Sequence, residues 1–99
     1  LAVHDGWTAY QRRGHLFVKY FAPYNPESAY VDFGANVEVF TNKLMLELET
    51  LGTLVTIPPQ GSIEYREDWF LFSDVPDVHD DAEVDQHVLP LVREAKTHI

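Results

Sequence analysis

Three glutamates, Glu38, Glu47 and Glu49, stand close together on two short segments of alternating apolar and polar residues. Carboxylates held near one another repel, which raises at least one pKa and leaves a group able to trade a proton near neutral pH. That is the chemistry of a general acid or base acting on a hydroxyl. The same residues also have a plainer account. Charge on the outer face of a strand keeps that face solvated, with Lys43 or Arg66 as counter-ions. The residue types alone leave both accounts open.

The elements that must carry these carboxylates are read from period-two alternation. Val37, Val39 and Thr41 alternate with Glu38 and Phe40, and Leu44, Leu46 and Leu48 alternate with Met45, Glu47 and Glu49. With Asn42-Lys43 as a two-residue turn, Val39 faces Leu46, Glu38 faces Glu47 and Asn36 faces Glu49. One face is then apolar (Val37, Val39, Leu46, Leu48). The other carries Asn36, Glu38, Glu47 and Glu49. Like charges directly opposite each other destabilise a sheet, so the acidic face calls for an explanation.

Elsewhere Trp7–Tyr10 and His15–Phe21 read as a hairpin around Gln11-Arg12-Arg13-Gly14. Ala22 to Gly34, with two prolines and Gly34, is a long loop that offers Tyr24, Tyr30 and Asp32. Aromatic faces stack on sugar C–H surfaces and carboxylates accept sugar hydroxyls, so this composition fits carbohydrate. It equally fits a loop pinned by its tyrosines. A last strand is expected over Ser62 to Phe72, then an acidic linker. Asp80 followed by Glu83 is a capping box that starts a helix over 81–96. Val84, Val88, Leu91, Val92 and Ala95 supply its apolar face, and Pro90 should kink or split it near Gln86–Val88. Asp74, Asp77, Asp80 and Asp81 lack the glycine and closing glutamate of a calcium loop, and the histidines lack metal-ligand spacing. No metal or cofactor is implied.

The segment LELETLGTLVTIPPQGSIEYREDWFLF resembles the end of a galactose-mutarotase-like (aldose 1-epimerase) domain. The residues that carry the likeness are Leu48-Glu49-Thr50, Pro58-Pro59-Gln60-Gly61, Glu64-Tyr65 and Trp69-Phe70. The wider pattern GWTAY, LFVKYF, YVDFG, EVFT and ELETLG is similar to an uncharacterised family of that superfamily. Gln60 is inserted into the Pro-Gly loop. The resemblance implies the C-terminal part of a β-supersandwich that binds a sugar on a sheet face. By that likeness Glu49 is the general base on the anomeric hydroxyl, with Glu38 as the competing match. Asp32, Asn36, Glu47 and Tyr30 are the expected substrate contacts, and the acid histidine is expected upstream of Leu1.

The expected fold class is therefore mainly β, an antiparallel sheet of five or six strands forming a partial supersandwich, with one C-terminal helix. The 99 residues are read as a single β-rich domain, expected to be the C-terminal part of a longer mutarotase-like one and too short for a complete two-sheet sandwich. With 16 acidic against 7 basic side chains and a net charge of −9, neither nucleic acid nor an anionic membrane surface fits as a partner. Without cysteine there is neither a disulfide nor a thiolate site. Hydrophobic residues make up 45% of the chain, more apolar surface than a partial sandwich can cover alone, so a homo-oligomer is expected. Cytoplasm is the default location. Two function classes follow: a sugar-binding, epimerase-like domain, or a non-catalytic β-domain that self-associates.

Overall fold

The computed structural model describes all residues, Leu1 to Ile99. The protein is mainly β, with five strands in two antiparallel sheets and a bent C-terminal helix. The strands are β1 (Trp7–Arg12), β2 (His15–Tyr20), β3 (Val37–Thr41), β4 (Leu46–Thr50) and β5 (Asp68–Phe72). Two helical segments follow, α1 (Asp81–His87) and α2 (Leu89–Lys96). Neither is long and apolar enough to cross a membrane. The chain divides into two compact units. The first holds Leu1–Gly6 and Phe21–Arg66, the second Trp7–Tyr20 and Glu67–Ile99.

The second unit is a three-stranded sheet in the order β1-β2-β5, one face of which is covered by the helices. Alternation in β2 sends Leu16, Val18 and Tyr20 into a core with Val75, Val88, Val92 and Ala95. The Tyr20 hydroxyl donates to the Val92 carbonyl at 2.7 Å, which ties sheet to helix. On the opposite face Lys19 is buried. It pairs with Glu67 at 3.1 Å and lies 5.6 Å from the centre of the Trp69 ring. The β1–β2 turn is tighter than the alternation predicts. Arg13 (φ 50°) and Gly14 (φ 78°) are both left-handed, as a two-residue type I′ hairpin turn requires. Arg12 therefore pairs with His15 inside the sheet. Gln11 also stays in its strand, and its side-chain amide bonds the backbone of Val75, Pro76 and Val78.

The last strand is shorter than expected. β5 begins at Asp68, which pairs with Tyr20, the final residue of β2. Upstream of Asp68 there is no further β2 residue to pair with, and Ser62–Glu67 form no strand. The helix begins as its capping box dictates: Asp80 is extended (φ −149°), and its carboxylate accepts from Glu83 N at 2.8 Å. Glu83 reaches back to His79 N, one residue before the usual partner. The helix breaks at Val88. Pro90 lies in the first turn of α2, where its missing N–H costs nothing, while a continuous helix would need that N–H for the Gln86 carbonyl. Arg93 and Lys96 occupy the last turn, the favourable end of the helix dipole for cations.

The first unit contains the β3–β4 hairpin and the long loops. Here the connection is wider than a two-residue turn. The Asn42 side-chain oxygen accepts from Leu44 N (2.8 Å) and Met45 N (3.0 Å), and Asn42 N donates to Met45 O. An asparagine that caps two following amides spreads the turn over Asn42–Met45, so Thr41 pairs with Leu46 and not Leu44. The register moves by two residues, an even shift that keeps every side chain on its expected face. It does change the partners. Glu38 faces Glu49, Phe40 faces Glu47 and Val39 faces Leu48.

The N-terminal segment is strapped to the start of this hairpin. Leu1 O accepts from Asn36 N and Val37 N, and Val3 O accepts from Tyr24 N. Asn36 is 1% exposed and fixes Val3 from both sides, accepting from its N–H at 2.7 Å and donating to its carbonyl at 3.0 Å.

Candidate functional site

The candidate site residues fall into two groups, both within the first unit. The first is a carboxylate cluster. Chain reversal over Asp32–Ala35, with Phe33 (φ 49°) and Gly34 (φ 78°) both left-handed and Ala35 N donating to Asp32 O at 2.9 Å, presents Asp32 to β3. Asp32 lies beside Glu38 and raises its pKa above the ordinary 4.5, first through side-chain hydrogen bonding, followed by desolvation and the charges of Asp32 and Glu49, with the Leu1 amino group opposing. The close-carboxylate principle thus operates, but Asp32 supplies most of the effect. Glu47 stands opposite Phe40, outside that pairing.

A measurable consequence follows from this shift. A carboxyl whose pKa is raised on folding binds its proton more tightly in the folded chain. Its stabilising contribution is full below pH 4.5 and is lost as pH rises through the higher folded value. Glu38→Gln removes that dependence together with a charge facing Glu49. The melting temperature of the variant is expected to gain on that of the parent as pH rises from about 4 to 7, as read by calorimetry across that range. A gap that is constant with pH would contradict the raised Glu38 pKa.

The second group lines an open cleft of about 670 Å³, a size that suits a small ligand. It lies between the loop after β2, the segment Leu51–Val55 after β4, and Ile63–Tyr65. Leu54 N donates to Ala29 O at 2.8 Å and holds the first two walls together. Tyr30 stacks on Tyr24 (centroids 5.0 Å apart, planes at 20°), and its hydroxyl oxygen accepts from Asn25 N at 3.0 Å. That leaves the Tyr30 proton available for donation into the cleft. Tyr65 lies against Gly52, where a β-carbon would come within 3.1 Å of the ring and push it aside by a few tenths of an ångström. The approach to Ile63–Tyr65 is set by the Pro58–Gly61 turn, closed by Gly61 N to Pro58 O at 2.9 Å. Pro59 and the left-handed Gln60 (φ 64°) take the central positions of a type II turn. Gln60 occupies the position usually given to glycine.

Of the residues proposed from sequence, Tyr30 lines the cleft, Asp32 lies beside Glu38, and Glu49 is exposed opposite Glu38. Glu38, Glu47 and Glu49 are not among the residues lining the cleft. Asn36 is buried with its amide engaged by Val3. Asn25, Ser28 and Glu64 were not proposed from sequence as ligand contacts but line the cleft. Glu64-Tyr65 carried a signal as part of the mutarotase-like motif; Asn25 and Ser28 carried none beyond their place in a long polar loop. No family model, no curated protein and no solved structure matches the chain.

Proposed function

We propose that the chain is a carbohydrate-binding domain whose ligand sits in the cleft of the first unit. The observation that carries this is the cleft's lining: the tyrosines Tyr30 and Tyr65 beside the hydroxyl, amide and carboxylate groups of Ser28, Asn25 and Glu64. Aromatic rings take the C–H faces of a pyranose, while the polar groups take its hydroxyls. The mutarotase-like resemblance adds a chemical expectation. By that likeness Glu49, with Glu38 as the alternative, would be the base on an anomeric hydroxyl; neither lines the cleft, so the role requires a ligand that also reaches the β3–β4 hairpin.

A second reading, self-association, is favoured by the three-stranded sheet. On the face turned from the helices, Trp69 is 64% and Leu71 72% exposed. Antiparallel sheets often leave one face wet, but that face is usually polar.

One set of measurements separates these readings. Titration of ¹⁵N-labelled protein with aldoses is expected to shift the amides of Gly52, Thr53 and Tyr65, and Tyr65→Ala to abolish the shifts. Mutarotation assays on wild type, Glu49→Gln and Glu38→Gln test the base role; equal rates in all three remove it. A concentration-dependent dimer in sedimentation, with no sugar-induced shifts, would favour the second reading.

A further inference from the structure

Glu64 is the charged residue among those lining the cleft, and neither lysine, arginine nor histidine is among them. A site for a sugar phosphate or a uronic acid needs a cation or a cluster of backbone amides to replace the water around the anion. This cleft offers a carboxylate and two tyrosine rings, whose faces carry the negative end of the ring quadrupole. The chain as a whole bears −9, so the wider field also repels anions and draws in cations. We infer that the cleft selects a cationic, amine-bearing ligand, an amino sugar if the carbohydrate reading above holds, with its ammonium group held by Glu64.

Each part of the lining then has a separate task. Glu64 accepts from the ammonium group, as a charge-assisted bond stronger than any the hydroxyls can make. Tyr65, packed against Gly52, is the second aromatic side chain of the lining and serves the C–H surface of the ligand. Tyr30 already accepts from Asn25 N, so its hydroxyl acts toward the ligand as a donor, suited to a ring or hydroxyl oxygen. Recognition by charge is the part that a change at Glu64 alone can remove. Shape and hydroxyl contacts stay in place.

The test is a ¹⁵N chemical-shift titration slightly below neutral pH. Its probes are glucosamine, glucose, N-acetylglucosamine, glucose 6-phosphate and 1,4-diaminobutane. Glucosamine is expected to bind about tenfold more tightly than glucose or N-acetylglucosamine, a ratio equivalent to about 1.4 kcal/mol. Glucose 6-phosphate is expected to give no shifts. Glu64→Gln should bring glucosamine down to the affinity of glucose without altering the rest of the spectrum. Equal binding of glucose and glucosamine by wild type would overturn the charge selection and leave the carbohydrate reading intact. Binding of 1,4-diaminobutane through Glu64 with no response to any sugar would do the reverse. Silence towards all five probes would overturn both.

Discussion

Leu16→Ala should cost about 3–4 kcal/mol, a large share of the roughly 5–15 kcal/mol that holds a small domain folded. Leu16 is 1% exposed, in the middle strand of the three-stranded sheet, and it contributes to the cluster with Val75, Val88, Val92 and Ala95. Loss of three buried carbons removes their transfer free energy and leaves a cavity between sheet and helix that both elements, fixed by backbone hydrogen bonds, can only partly close. The measurement is convenient because Trp7 and Trp69 both belong to the second unit. Tryptophan fluorescence therefore reports that unit directly. In urea the midpoint is expected to fall by about 1–4 M without a change in slope. Leu71→Ala provides the contrast. It lies on the outer face of the adjacent strand, 72% exposed, and should stay within about 0.5 kcal/mol of the parent. Comparable losses in the two variants would mean that the outer face is covered in solution, as self-association requires.

The same sheet shows why some of the fold was legible and some was not. The strand His15–Phe21 was legible from its period of two, but Phe17, Lys19 and Phe21 give its other face equal bulk, so the alternation did not say that Leu16, Val18 and Tyr20 form the core side. The helix start was legible from Asp80 and Glu83 and its break from Pro90, since each acts through local backbone chemistry. Register was harder, because it depends on turn geometry. Whether Asn42 bonds forward to Leu44 and Met45 decides between a two-residue and a four-residue connection, and both present the same alternation. Faces survived that ambiguity because the shift is even; partners did not. Glu49 was expected across from Asn36 and stands across from Glu38.

The candidate site was less legible than the fold for a related reason. Asp32 reaches Glu38 through a turn with Phe33 in a left-handed conformation, which a phenylalanine does nothing to advertise. The cleft walls are loops joined by contacts such as Leu54 N to Ala29 O, far apart in sequence and without periodicity. What the sequence carried was composition: tyrosines and polar groups in Ala22–Gly34, and Glu64-Tyr65 after the Pro-Gly turn. Composition suggested the ligand class to propose. Geometry supplied the cleft.

Asn36 is where a ligand contact and a structural clamp make opposite predictions. Its side chain bonds both the N–H and the carbonyl of Val3 while 1% exposed, so Asn36→Ala strands the Val3 N–H and leaves the Val3 carbonyl with Tyr24 N as its remaining donor. The expected cost is about 1–3 kcal/mol, seen as early loss of amide-exchange protection at Val3 and then at Tyr24, whose N–H rests on the same Val3 carbonyl. Asn36→Asp sharpens the test. An aspartate keeps the acceptor for Val3 N–H but sets an oxygen against the Val3 carbonyl, and its burial resists ionisation. Protonated, it can donate to that carbonyl as the amide did. The Asp variant should therefore regain most of the lost stability at about pH 4 and be weakest above neutral pH, whereas the Ala variant should show a deficit that does not change with pH. If Asn36 instead served a ligand, Asn36→Ala would leave exchange at Val3 and Tyr24 untouched and weaken sugar binding alone.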